Sequence, residues 1–158
     1  MFNIGNFIVY KKDVCKIVDI KNEYYVLVPI TDNSLKINVP ISNKFNYLRN
    51  LINKDDVMKI IEKIPNIEII ETNDKLIENK YKELINSGKH EDLIKIIKTT
   101  YLRNKERLDH NKKIGDKDNT YFNLAEKYLY NEFAIVLGMN YDDTKNYVIE
   151  QVSKICQK

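Results

Sequence analysis

The sequence predicts an α+β chain: a small antiparallel, barrel-like (Tudor- or SH3-like) β-sheet at the N-terminus, followed by an all-helical bundle. Three observations predict it. Residues 1–40 are filled by short β-branched and aromatic runs separated by turn residues. From Asn53 onward the apolar spacing changes from two to three and four. Charge divides at the same place, with seven basic against four acidic residues through Asn53 and nineteen against nineteen after it. The expected boundaries are therefore 1–48 for the sheet and 54–158 for the bundle. With 158 residues, 43% apolar and 31% charged, the chain can bury a real core and is not of disordered composition.

Four strands are expected in order. Phe7 to Tyr10 open the sheet. Val14 to Ile20, Tyr24 to Ile30 and Leu35 to Val39 follow, separated by Lys11-Lys12-Asp13, Lys21-Asn22-Glu23 and Thr31-Asp32-Asn33-Ser34. Connections this short make an antiparallel meander. Pro29 and Pro40 cannot donate to a ladder and mark strand ends or an edge.

The helical half begins with Asn53 as a cap, runs through Val57, Ile60 and Ile61, and stops at Pro65. Ile67, Ile69 and Ile70 read as an extended linker. A helix from about Asn73 carries Leu76, Ile77, Tyr81, Leu84 and Ile85 and ends at Gly88. Two longer helices follow, roughly 90–109 and 118–137. The first has Leu93, Ile96, Ile97, Thr100, Tyr101 and Leu108 on its inward face. The second has Phe122, Ala125, Leu129, Phe133, Val136 and Leu137 there, with Gly138 closing it. Asp142 or Asp143 opens a last helix with Val148, Val152 and Ile155.

Little in the sequence suggests catalysis. His90 and His110 have no ligand-spaced companions, so neither a metal nor a cofactor is expected. His90 reads as a polar helix cap. No GxSxG, GxxxxGK[ST] or GxGxxG is present. The acidic pairs Asp55-Asp56, Glu91-Asp92 and Asp142-Asp143 fall at helix starts, where they complement the helix dipole. The two cysteines, Cys15 and Cys156, are expected to be reduced, and with no apolar span or signal-like start the chain is expected to be cytoplasmic and away from membranes. A monomer is the expected state.

The most distinctive charge feature is the turn between the two long helices. Between Arg103 and Lys117 stand six basic residues (Arg103, Lys105, Arg107, Lys112, Lys113, Lys117) against Glu106, Asp109 and Asp116. A basic helical corner is either a solvated turn or a surface that meets phosphate without reading sequence.

The order of elements, together with the opening Met1-Phe2-Asn3-Ile4-Gly5-Asn6-Phe7-Ile8-Val9-Tyr10, resembles the CarD/CdnL family of bacterial transcription regulators. Leu35-Lys36-Ile37-Asn38-Val39-Pro40 looks like that family's strand ending in Val-Pro. Tyr101 to Arg107 is similar to its aromatic-Arg-Arg-Asp-x-Glu segment, and Asn131 to Gly138 resembles its closing helix. The resemblance implies that the sheet docks on the RNA polymerase β subunit through strand 35–39, contributed by Lys36, Ile37, Asn38 and Val39. It implies that the helices lie on promoter DNA beside the melted region and stabilise the open complex. Lys75, Lys80, Lys82, Arg103, Lys112, Lys113 and Lys117 are then the candidates for backbone phosphate, Arg103 foremost because it also matches the family segment.

The chain departs from that pattern in three ways. It has no Trp, and the position of the family's minor-groove wedge falls on Asp74. The arginines that follow the wedge become Leu76 and Ile77, with Tyr81 a wedge alternative better suited to a core. Asn38 stands where relatives use Arg. A protein–protein adaptor without DNA contact is the competing expectation, and an enzyme the more remote one.

Overall fold

In the computed structural model, which describes residues 1–157, the chain forms two units, Met1–Ile52 and the remainder from Asn53. The first is an antiparallel sheet of β1 (Phe7–Tyr10), β2 (Asp13–Lys21), β3 (Tyr24–Pro29), β4 (Ile37–Pro40) and β5 (Leu48–Asn50). The strand order is β4-β3-β2-β1-β5, an open sheet whose edges are β4 and β5. A closed barrel is therefore not what these strands build. β5, which sequence reading missed, pairs with β1 and carries the sheet unit past residue 48.

Alternation places Ile8, Cys15, Ile17, Tyr25, Leu27, Val39 and Leu48 in one buried cluster. A register shift between Ile17 and Asp19 brings Ile20 opposite the buried Tyr25 and onto that cluster. β2 and β3 are joined by Asn22 and Glu23, both left-handed, at φ +50° and +68°. That is the twist a two-residue hairpin demands.

The second unit contains α1 (Lys54–Lys63), a 3-10 turn (Ile64–Asn66), α2 (Ile77–Ser87), α3 (His90–Asp109), α4 (Asp116–Leu137) and α5 (Tyr141–Cys156). Asn53 and Asp56 form a reciprocal capping box at the start of α1. Asn140, and neither Asp142 nor Asp143, caps α5 by accepting from the Asp143 N–H. α2 begins at Ile77, later than expected, because residues 73–76 form a turn held by the Asn73 side chain. Gly88 and Gly138 end α2 and α4 in the left-handed region, at φ +68° and +67°, where an L side chain is strained.

The core of this unit is built from Val57, Ile61, Tyr81, Ile96, Leu129 and Phe133. The inward stripe of α3 stops at Thr100. Tyr101 and Leu108, expected inside, are 57% and 59% exposed. His90 is not a cap: its Nε2 pairs with the buried Glu132 at 2.8 Å and its ring stacks on Phe133. Cys15 and Cys156 are free thiols. Among the described residues no helix is long and apolar enough to cross a membrane.

Candidate docking edge and nucleic-acid surface

The two edges of the sheet differ in what their outward backbone meets. At β5 the Asn43 side chain acts as a clamp: its Nδ2 donates to the Leu48 carbonyl at 3.2 Å and its Oδ1 accepts the Leu48 N–H at 3.1 Å. Arg49 then donates to the Asn50 carbonyl at 3.0 Å. Both outward positions of β5 are thus occupied in part by the chain's own side chains, a common way of blunting an edge.

At β4 no such clamp exists among the described residues. Ile41 donates its N–H inward to Glu23 at 2.9 Å. Alternation along an antiparallel strand then turns the main-chain groups of Val39 and Ile37 toward β3, and those of Asn38 toward the open edge. The side chains follow the same alternation. Val39 is buried and Ile37 packs on the core, while Lys36 and Asn38 are exposed. Of the four predicted docking residues, Ile37 and Val39 therefore hold the sheet together. Asn38 and the neighbouring Lys36 face outward.

The basic corner is assembled differently from its sequence. Asp118 is 2% exposed and accepts three donors: the Tyr81 hydroxyl at 2.7 Å, Arg103 Nε at 2.9 Å and Arg107 Nη1 at 2.6 Å. Arg103 also donates to Asp74 at 3.0 Å, and Arg107 to the Asn104 side chain at 2.7 Å. The same Asn104 oxygen accepts the Gly115 N–H at 2.9 Å. A Cβ on Gly115 would sit 2.6 Å from Arg107 Nη1, so the loop needs glycine there to approach this network.

Burial pushes the Asp118 carboxyl up, but the bonds from Tyr81, Arg103 and Arg107 outweigh it and hold it below the ordinary aspartate range. Burial first, and then the bond to Asp118, push the Tyr81 phenol well above its usual range.

Arg103, the foremost DNA candidate, thus bridges α3 to Asp118 of α4 and to Asp74. Its guanidinium is partly exposed and already engaged by two carboxylates. Lys117 pairs with Glu78 at 3.1 Å, Lys82 with the same carboxylate at 3.7 Å, and Lys80 with Glu83 at 3.6 Å. These three lysines are exposed, so their pairs are weak and breakable. Lys75, Lys112 and Lys113 are exposed and have no carboxylate within 4.0 Å among the described residues, and Lys105 shares that status. The surplus of three charges between Arg103 and Lys117 meets three carboxylates in the fold: Asp74, Glu78 and Asp118. Tyr81, fully buried, is no wedge. Asp74 is 85% exposed at its side chain and brings negative charge to the wedge position.

Sequence reading missed Asp118 and Asn43, and counted Arg107 in the corner without assigning it a partner. The spacing of Arg103 and Arg107, one helical turn apart on α3, was the available sign of a shared partner. No protein-family model matches the chain, and no curated protein matches it significantly. The likeness to CarD/CdnL proteins rests on the residues quoted above.

Proposed function

We propose that the chain is a non-enzymatic transcription regulator of the CarD type, whose sheet docks on the RNA polymerase β subunit by accepting a partner strand along β4. The observation that carries this reading is the asymmetry of the two edges: β5 is clamped by Asn43, whereas β4 leaves the Asn38 N–H and C=O directed outward. Strand addition takes its affinity from such main-chain groups and its selectivity from flanking side chains, here Lys36 and Asn38. A Tudor- or SH3-like curl of the sheet, a cytoplasmic location and a monomeric state belong to the same reading. The identity of the partner comes from the resemblance.

In this reading promoter DNA is met by Lys75, Lys112 and Lys113, aided by Lys80, Lys82 and Lys117 once their exposed pairs open. Such contacts would follow phosphate without reading bases. The factor would raise open-complex occupancy only by its preference for that state over the closed one. A second reading is favoured by a specific observation. Arg103 is bound to Asp118 and Asp74, which leaves a corner of little net charge and suits an adaptor with no DNA contact. A gel shift on fork-junction DNA, with and without purified RNA polymerase, separates the two. A ternary complex whose DNA affinity falls when Lys112 and Lys113 are replaced supports the first. Polymerase binding without any added DNA affinity supports the adaptor.

A further inference from the structure

Helices α3, α4 and α5 leave between them an apolar cavity of about 430 Å³, within the size range of small-molecule sites. Ile97, Phe122, Leu129 and Val152 contribute its walls, and Tyr101 and Ile149, both more than half exposed, stand among its lining residues.

The charged groups in the lining are unevenly matched. Glu126, buried, is paired with Lys145 at 3.0 Å. Lys98 faces no carboxylate within 4.0 Å among the described residues. Its ammonium donates to the carbonyls of Ile64 at 2.8 Å and Ile67 at 2.6 Å, at the first residue of the 3-10 turn and just after its last. An ammonium carries three donors, so one remains. The lining therefore combines an apolar body with a single unbalanced positive charge. Partial burial lowers the Lys98 pKa and outweighs the opposite influence of Cys156.

We propose that this cavity binds a small amphiphilic carboxylate, with its hydrocarbon body among α3, α4 and α5 and its carboxylate on the Lys98 ammonium. One cation and one remaining donor suit a monoanion. The concave, three-helix wall suits a compact hydrocarbon chain. The site lies wholly within the helical unit and does not depend on the docking reading above.

The test uses decanoate, kept below its micelle-forming concentration, titrated into the full chain by calorimetry, with decanol as the uncharged control. Decanoate should bind with a Kd below about 1 mM, and about tenfold tighter than decanol. Lys98→Met should remove that preference. Ser153→Trp, at a lining position on α5, should abolish both by filling the space. Failure of decanoate to bind the wild-type chain, equal binding of decanol, or an unchanged Kd in Ser153→Trp each overturns the proposal. Self-association that blocks decanoate does so as well, since it makes a second copy the occupant. Should Lys98→Met fail to fold, the wild-type preference for decanoate and the Ser153→Trp result decide the outcome.

Discussion

Arg103 donates from α3 to the Asp118 carboxylate of α4 at 2.9 Å, and this bond converts the most conspicuous cation of the corner into part of the framework. The carboxylate also holds Arg107 and the Tyr81 hydroxyl, so one buried acid joins α2, α3 and α4. Such a hub is costly to break because the buried Tyr81 hydroxyl would lose its acceptor and both arginines their shared carboxylate.

Asp118→Ala should therefore lower the stability of the helical unit by about 3–5 kcal/mol, the range for removing one partner of a buried pair. Urea unfolding followed by far-UV circular dichroism measures it. A loss below about 1 kcal/mol, the value for exposed pairs, would mean that the hub is solvent-screened.

The same carboxylate predicts a direction in acid. Its pKa is lower folded than its ordinary 3.8, so its contribution is complete above that value and disappears as pH falls through the folded pKa. Wild type should lose stability steeply below about pH 4, and Asp118→Asn less steeply. Urea midpoints between pH 6 and pH 2 give both slopes. Parallel slopes would exclude Asp118 as the titrating group.

DNA binding, if measured against salt, should distinguish the corner's residues. Replacing Lys112 and Lys113 with Ala should flatten the logarithmic salt slope by up to about two units, and Arg103→Ala should leave it unchanged while reducing stability. A slope flattened by Arg103→Ala would show that Asp118 releases this side chain to phosphate.

At the β2–β3 hairpin, Glu23 adopts φ +68°, a conformation that disfavours every L residue except Asn and Asp. Glu23→Gly should stabilise the sheet unit by about 0.5–1 kcal/mol after the added entropy of the unfolded glycine is counted. Thermal unfolding of the two chains checks the sign; a lower midpoint in the variant would contradict it.

Local signals in the sequence were readable and long-range ones were not. The caps at Asn53, Gly88 and Gly138 and the strand runs from Phe7 to Pro29 depend on neighbours a few residues away, and periodicity and turn chemistry identify them. β5 escaped because Leu48–Asn50 is short and follows a polar stretch; its pairing with β1 supplies what its own residues do not. The end of the buried stripe at Thr100 was hidden because Tyr101 and Leu108 keep the helical spacing while facing outward.

The charge balance of the corner was hidden for an electrostatic reason. Sequence counts charge along the chain, whereas the carboxylates that engage Arg103 and Lys117 come from residues 74, 78 and 118. The run 35–39 overlaps an edge strand, β4. Which of its residues face outward required the register.

The most direct measurement is the affinity of the full chain for purified RNA polymerase, compared with Asn38→Pro. Proline removes the N–H that β4 turns outward and leaves intact the inward bonds to β3. Wild type should bind, Asn38→Pro should bind about tenfold or more weakly, and both chains should unfold at similar urea concentrations. Equal binding by a folded Asn38→Pro, or no binding by wild type, would contradict docking along β4.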